Sequence, residues 1–137
     1  ELTMAKKVLV LCTGNSCRSI IAEALINSKF GDQFKAYSSG VDASGKVNPN
    51  AKKVLQFNNI WRDEYYSKNI KSLLHNDFDL VVTVCDNAKK TCPIFPGNTK
   101  VIHMGFDDPD GKNYEAFELC FEQIKNRLLP LVKSIFE

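Results

Sequence analysis

The segment from Cys12 to Ser19 joins a thiol and a guanidinium within one short loop, with the sequence Cys-Thr-Gly-Asn-Ser-Cys-Arg-Ser. An apolar run precedes it and a helical pattern follows, so backbone N–H groups at the start of the helix should face one concavity and bind an oxyanion. Arg18 presents two parallel donors to such an anion, which a lysine does not. The residues expected to bind it are Thr13, Gly14, Asn15, Ser16, Cys17, Arg18 and Ser19.

Cys12 occupies the mouth of this loop, where a thiol can act as a nucleophile. The helix dipole and Arg18 are expected to lower its pKa, so that the reactive thiolate is present at neutral pH. Ser19 is placed to donate a hydrogen bond to the thiolate. Gly14 permits a strained turn and Asn15 tolerates a left-handed one. A buried cysteine is often only a small apolar residue, but here strand, loop and helix follow in the order that this chemistry requires.

Strand-like and helix-like runs alternate along the chain. Strands are predicted at 7–11, 35–39, 78–84 and 100–104, and helices at 19–30, at 49–57, at 70–74 and from 114 to the C-terminus, the last kinked at Pro130. This alternation predicts an α/β fold in which a parallel sheet carries helices on both faces. Ligands of such sheets lie beyond the carboxyl ends of the strands. Cys12, Cys85 and the loop 106–109 should therefore meet at one edge of the sheet.

The composition is that of an ordinary globular protein, with 44% hydrophobic and 25% charged residues in a chain of 137. A net charge of +2 gives no reason to expect nucleic acid or an anionic membrane as a partner. The sequence shows no stretch long and apolar enough to span a membrane and no signal peptide. We expect a single domain over residues 4–137, with residues 1–3 a remnant of cloning, and a cytoplasmic monomer.

The five cysteines do not form a framework of small disulfide loops, and in a cytosolic protein such thiols are more often catalytic. A structural zinc site is disfavoured, because there is no Cys-x-x-Cys pair and neither histidine lies near a cysteine pair. We expect no metal and no organic cofactor. Cys120 lies on the apolar face of the last helix and is predicted to be core, and Cys17 is predicted to be partly buried. No carboxylate or thiol lies at a sequence spacing from His75 or His103 that would indicate a functional pair.

Together with Asp108-Pro109 far downstream, the Cys12–Ser19 segment resembles the low-molecular-weight protein tyrosine phosphatases, and the resemblance covers nearly the whole chain. It implies a three-layer fold with a four-stranded parallel sheet flanked by helices. It also implies that Cys12 is the nucleophile, Arg18 the oxyanion binder and Asp108 the general acid that protonates the leaving oxygen. On composition alone, residues 107–111 would be no more than a turn, because every residue there favours turns.

Two features differ from a tyrosine phosphatase. That family has aromatic residues directly after the Asp-Pro pair, where they wall the pocket for the substrate ring, whereas this chain has Asp110-Gly111-Lys112. The second feature is a pair of further thiols, Cys85 and Cys92, at the same end of the sheet. The run from Cys85 to Cys92-Pro93 is similar to that of the thioredoxin-coupled arsenate reductases, which share the phosphatase fold. The alternative is a buried Cys85 and an exposed Cys92 without a joint role.

The resemblance to arsenate reductases implies a relay of three cysteines that thioredoxin regenerates. Cys12 would attack arsenic, Cys85 would attack the sulfur of Cys12 and release arsenite, and Cys92 would then attack Cys85. If residues 85–92 are helical, about 10 Å separates the Cα atoms of Cys85 and Cys92, whereas a disulfide needs about 4.4–6.8 Å. Oxidation would then require this polar segment to refold, which should cost little. The competing hypotheses are a phosphatase that hydrolyses phosphate monoesters and a redox sensor that uses Cys85 and Cys92.

Some arsenate reductases of this class hold a potassium ion behind the anion loop, and three of the four ligands are matched here. Asn15, Glu23 and Ser38 correspond by position, but Lys68 follows Ser67 where the aspartate would lie. Either the Lys68 ammonium occupies the place of the cation and pairs with Glu23, or this lysine is a solvated surface residue. Lys68 therefore argues against a potassium requirement.

Overall fold

The computed structural model describes residues 5–95 and 97–137, and its centre is a parallel four-stranded sheet. The strands are β1 (Lys6–Cys12), β2 (Phe34–Gly40), β3 (Leu80–Thr83) and β4 (Lys100–His103), in the spatial order β2-β1-β3-β4. The predicted α/β fold, with four parallel strands flanked by helices, is confirmed. The predicted start of the domain at Met4 lies outside the described residues.

Strand β1 is the hydrophobic centre of the sheet, because neighbouring strands cover both of its edges. Val10 aligns with Ser38 of β2 on one side and with Val82 of β3 on the other. All four residues from 8 to 11 are fully buried. A continuous apolar run is typical of a strand that is covered on both faces, which is the position that it predicts here.

The helices are α1 (Arg18–Phe30), α2 (Pro49–Phe57), α3 (Asp86–Thr91), α4 (Tyr114–Gln123) and α5 (Leu129–Ile135), and a 3-10 turn lies at Ile70–Leu73. Helix α1 packs against β1 and β2 and also contacts α2 and α4. Helix α2 begins at Pro49 as predicted, where Asn48 accepts a hydrogen bond from the Asn50 N–H at 2.8 Å. Proline suits the first turn because the N–H that it lacks would have no partner within the helix there. The polar segment between Cys85 and Cys92 forms α3.

The C-terminal segment differs from the predicted single helix with a kink at Pro130. A π-helical turn at Ile124–Leu128 separates α4 from α5. Proline has no N–H to donate and its ring crowds the carbonyl group four residues earlier, so the ordinary hydrogen-bond ladder is interrupted before Pro130. A wider π turn accommodates that interruption. The change in helical geometry therefore precedes the proline.

The core is continuous from the sheet into α1 and the C-terminal helices. Its largest fully buried side chains include Phe117 on α4, Leu25 on α1 and Leu128 in the π turn. Cys120 is also buried, as its place on the apolar face of α4 predicts. Within the described ranges, no helix has the length and apolar character needed to cross a membrane.

Phe117→Ala should lower the free energy of unfolding by about 3–5 kcal/mol, because it deletes a fully buried ring. Leu119→Ala on the same helix is the matched control, since Leu119 is 59% exposed and its truncation should cost less than about 0.5 kcal/mol. Urea unfolding followed by circular dichroism measures both variants. Equal losses would show that the buried face of α4 is assigned wrongly.

Candidate active site

Three loops meet at the carboxyl edge of the sheet, as the topology predicts. Cys12 ends β1, Cys85 follows β3 and Phe106 follows β4. The Thr13 hydroxyl lies 3.3 Å from Cys85 Sγ, which joins the first loop to the second. Arg18 donates to the Phe106 carbonyl oxygen at 2.9 Å, which joins the first loop to the third. Residues far apart in the sequence therefore share one site.

The loop from Cys12 to Ser19 turns its carbonyl groups outward to the segment 41–48, whose backbone N–H groups donate to them at 2.9–3.0 Å. Because the carbonyl groups point away, N–H groups of the loop remain for the inner concavity, which is the arrangement that binds an oxyanion. Gly40 permits this close approach, since a Cβ there would collide with the Thr13 carbonyl oxygen. The four bonds join Val41 to Cys12, Asp42 to Thr13, Ser44 to Gly14 and Asn48 to Ser16.

The Cys12 thiol is nearly fully buried, and two polar groups contact its sulfur. Ser19 Oγ lies 2.9 Å from Sγ, and the Asn15 N–H donates to Sγ at 3.2 Å. Burial raises the pKa of the Cys12 thiol above its ordinary value, while these hydrogen bonds and the Arg18 charge act in the opposite direction. The expectation of a lowered pKa is therefore wrong, because desolvation outweighs the stabilising contacts.

Asn15 holds the loop from within. Its backbone is left-handed, with φ of 51°, and its side chain is fully buried. Nδ2 donates to Ser19 Oγ at 2.7 Å and to Ser38 Oγ at 3.0 Å, while Oδ1 accepts the Lys68 N–H at 2.9 Å. Because Ser19 accepts from Asn15, its own hydroxyl hydrogen is free to be donated to Cys12 Sγ. Asn15 thus sets the direction of the Ser19 hydrogen bond.

Glu23 is a buried carboxyl group that Ser38 joins to Asn15. The Ser38 hydroxyl donates to Glu23 Oε1 at 2.5 Å. Burial raises the pKa of Glu23 to about 7, and the Lys68 charge acts in the opposite direction. Glu23 and Lys68 line the same cavity, which has a volume of about 210 Å³. Asn15, Ser38 and Glu23 therefore come together as the sequence predicts.

Lys68 enters this network through its backbone. Its ammonium group donates to the Tyr66 carbonyl oxygen at 2.8 Å and lies 4.4 Å from the centre of the Tyr66 ring. Of the two alternatives for Lys68, the direct pairing of its ammonium with Glu23 is not formed, because the Tyr66 carbonyl and ring face are nearer partners. The two charges still influence each other's pKa across the cavity.

Arg18 and Asp108 face each other beside the loop. Arg18 NH2 and Asp108 Oδ2 are 3.4 Å apart, and their side chains are 13% and 53% exposed. The other carboxylate oxygen of Asp108 accepts the Asp110 N–H at 3.0 Å. Phe106, whose carbonyl group binds Arg18, has the Arg127 guanidinium 5.0 Å from its ring centre. The Asp108 carboxyl is therefore close to any anion that Arg18 binds.

Helix α3 separates the two further thiols. Cys85 is its N-cap, and Sγ accepts the Ala88 N–H at 3.4 Å. Cys92 is the first residue beyond the helix, with its thiol 3.5 Å from the Pro93 carbonyl oxygen. Six helical residues stand between the cysteines. About 10 Å therefore separates their Cα atoms, and a disulfide requires α3 to unwind. All five cysteines are free thiols in this structure.

A cavity of about 180 Å³ connects the guanidinium to the second thiol, since Arg18 and Cys85 both line it. Helix α3 is joined to the loop from Cys12 to Ser19, called the oxyanion loop below, because Asn87 Nδ2 donates to the Thr13 hydroxyl at 3.0 Å. The Cys85 thiol is therefore held next to the residue that follows Cys12.

His103 forms two contacts at this edge that its spacing in the sequence does not indicate. Its Nδ1 lies 2.8 Å from Thr83 Oγ1, and its Nε2 lies 3.4 Å from Asp86 Oδ1. The interpretation that His103 has no carboxylate partner is therefore wrong. Asp86 follows β3 and His103 ends β4, and these strands are neighbours in the sheet, which residue spacing along the chain does not show.

The remaining thiols, Cys17 and Cys120, are buried. Cys17 is buried rather than partly buried, and desolvation raises the pKa of its thiol to about 12. Desolvation likewise raises the pKa of Cys120 to about 12. Among residues 5–95 and 97–137, there is no group of three or more His, Cys, Asp or Glu residues that could hold a metal ion.

Comparisons with known proteins identify relatives along the whole chain. The family described as low molecular weight phosphotyrosine protein phosphatase matches residues 7–137. An arsenate reductase of Bacillus cereus (strain 03BB102) is 42% identical over 123 residues, which are 90% of this chain and 91% of that protein. The crystal structure of an arsenate reductase from Archaeoglobus fulgidus DSM 4304 has a TM-score of 0.76 at 30% identity, covering 92% of this chain and 98% of that one. A thioredoxin-dependent arsenate reductase of Corynebacterium glutamicum shares the fold, with a TM-score of 0.75 at 23% identity over 98% of this chain and 64% of that one.

Glu23→Gln should stabilise the protein, and the gain should grow with pH. The pKa of Glu23 is raised from 4.5 to about 7 on folding, so the folded state binds more protons between these values and stability falls as the pH rises through them. Glutamine has no such titration. Urea unfolding should show a gain that is roughly 2–3 kcal/mol larger at about pH 8 than at about pH 4.5.

The control for this variant is Glu122→Gln, which makes the same chemical change on the exposed face of α4. A gain in Glu23→Gln that is the same at both pH values would contradict the raised pKa.

Proposed function

Because this chain belongs to the low molecular weight phosphotyrosine protein phosphatase family, we propose that it uses the family's oxyanion loop to reduce arsenate to arsenite, with thioredoxin as the reductant. Its similarity to arsenate reductases over at least 90% of the chain supports the substrate. The observation that carries the proposal is the Cys85 thiol, 3.3 Å from the hydroxyl group of Thr13, which directly follows Cys12. Ester hydrolysis does not need a second thiol at this place.

The first step is attack by Cys12 on the bound arsenate. Arg18 and the backbone N–H groups of the loop hold the arsenate oxygens, and the contacts from Ser19 and Asn15 stabilise the developing thiolate. A sulfur–arsenic bond forms, and the arsenate hydroxyl leaves as water with a proton from Asp108. The proton of the Cys12 thiol then returns Asp108 to its acid form.

The second step transfers two electrons to arsenic. Cys85 attacks Cys12 Sγ, and the sulfur–arsenic bond breaks with its electron pair on arsenic. Arsenite leaves with the proton of the Cys85 thiol, and a Cys12–Cys85 disulfide remains. The Thr13 hydroxyl and the Ala88 N–H are the donors that stabilise the Cys85 thiolate.

The third step moves the disulfide away from the oxyanion loop. Cys92 attacks Cys85, which frees Cys12 as a thiol and leaves a Cys85–Cys92 disulfide. Helix α3 must unwind for this attack, and only Ala88 of its six residues is buried, so unwinding should cost little. The dithiol of thioredoxin then reduces the new disulfide by exchange.

The protein is also proposed to work as a monomer in the cytoplasm. All the side chains that the three steps use come from one chain, so a second copy supplies nothing to the site. A reducing compartment would keep the thiols that the relay needs available. Arsenate and thioredoxin are the two external reactants.

Hydrolysis of phosphate monoesters is the second candidate, because the family profile and the loop are shared with tyrosine phosphatases. In that reaction, water rather than Cys85 would attack the intermediate on Cys12. Arsenate-dependent oxidation of NADPH in the presence of thioredoxin and thioredoxin reductase separates the candidates. A phosphatase would show none, and a redox sensor would consume thiols without releasing arsenite.

Cys92→Ser should permit about one turnover and then stop, because no thiol remains to resolve the Cys12–Cys85 disulfide. Arsenite released in the presence of thioredoxin and its reductase should level off at about one equivalent per protein. Cys120→Ala removes a core thiol outside the site and should keep sustained turnover. Sustained turnover in Cys92→Ser would refute the relay.

Asp108→Asn should lower kcat for arsenate by about 100-fold or more, with little change in KM, because it removes the general acid but not the anion-binding groups. Asp107→Asn is the matched control, since Asp107 is the exposed neighbouring residue and its variant should stay within about twofold of the wild type. Steady-state kinetics measures both. A loss of the same size in the two variants would mean that the acid is assigned to the wrong carboxyl group.

A further inference from the structure

Asn48 and Asp110 form a hydrogen bond that joins two segments beside the oxyanion loop. Asn48 Nδ2 donates to Asp110 Oδ1 at 2.8 Å, although 62 positions of sequence separate the two residues. Both residues line a cavity of about 260 Å³ that reaches Ser16 of the loop. None of the reaction steps above uses either side chain.

Further hydrogen bonds fix each end of this contact. The Asn48 N–H donates to the Ser16 carbonyl oxygen at 3.0 Å, and Asn48 Oδ1 accepts the Asn50 N–H at 2.8 Å. At the other end, the Asp110 N–H donates to Asp108 Oδ1 at 3.0 Å. An unbroken line of contacts therefore runs from the oxyanion loop through Asn48 and Asp110 to the Asp108 carboxyl.

An organic leaving group would have to lie beside Asp108, whose Oδ1 accepts the Asp110 N–H at 3.0 Å. In a phosphate ester, the oxygen that the acid protonates also carries the organic group, so that group must extend beyond Asp108. Asp110 is two residues from Asp108, and its carboxylate accepts a hydrogen bond from Asn48, which lines the same cavity. Free arsenate has only oxygens around its central atom and needs no such passage.

We propose that the Asn48–Asp110 hydrogen bond is a strap that positions Asp108 at the oxyanion loop and narrows the exit for organic leaving groups. The strap thereby favours free oxyanions over aryl phosphate esters as substrates. The positioning effect rests on the proposed reduction of arsenate, whereas the selectivity against esters can be measured without it. Asn48 and Asp110 are positioning residues, because they act on the reaction through Asp108.

Asn48→Asp opens the strap while keeping the cap of α2. Aspartate caps a helix as well as asparagine does, whereas two carboxylates at this distance repel each other. The double variant Asn48→Asp/Asp110→Asn restores one donor and one acceptor with their places exchanged. Lys112→Ala, which removes an exposed side chain from the same turn, is the control.

Two substrates separate the two effects of the strap. The p-nitrophenolate group leaves without needing a proton, so kcat/KM for p-nitrophenyl phosphate reports on the passage, whereas kcat/KM for arsenate reports on the position of Asp108. Asn48→Asp should raise kcat/KM for p-nitrophenyl phosphate about three- to tenfold and lower kcat/KM for arsenate by a similar factor. The double variant should return both to within about twofold of the wild type, and Lys112→Ala should change neither.

Two results would overturn the strap. The first is a kcat/KM for p-nitrophenyl phosphate that is unchanged or lower in Asn48→Asp. This includes the case in which both activities and the free energy of unfolding fall together. The second is a double variant that behaves like the single one. A wild-type protein without arsenate turnover would refute the proposed function instead, and the ester measurements would still decide the selectivity of the strap.

Discussion

The Asn15 side chain exposes no surface and forms hydrogen bonds in three directions, to Ser19 beside Cys12, to Ser38 of β2 and to the backbone of Lys68. A buried amide in such a network cannot rotate without leaving polar groups unpaired, at a cost of about 1–3 kcal/mol for each. Asparagine is also among the residues that best tolerate the left-handed backbone found here. The concavity of the oxyanion loop, the direction of the Ser19 hydrogen bond and the link to Glu23 all depend on this one side chain.

Burial and reactivity oppose each other at the Cys12 thiol. Desolvation raises its pKa, although Ser19, Asn15 and Arg18 surround it with stabilising contacts. In the proposed attack, these contacts would stabilise the negative charge that develops on the Cys12 sulfur. The site therefore combines a desolvated thiol with preorganised hydrogen-bond donors.

The sequence predicts the features that follow from local patterns. It does not predict those that depend on how deeply a side chain is buried or on which strands pair. The apolar run 8–11 and Pro49 at the start of α2 lie where the pattern indicates. The pKa of Cys12 was predicted in the wrong direction, because a neighbouring arginine is visible in a sequence but the degree of desolvation is not. The contact of His103 with Asp86 requires the pairing of β3 with β4, which sequence periodicity does not supply.

Cys85 caps α3 with the same sulfur that takes part in the proposed relay. When that sulfur is drawn towards Cys12 or Cys92, the first turn of this short helix loses its cap, and α3 cannot keep its shape. In the proposed relay, the surface formed by residues 86–92 would therefore differ between the oxidised and the reduced protein. A reductant that recognises this surface would then distinguish oxidised from reduced protein. Reduced molecules would not compete with oxidised ones for the reductant.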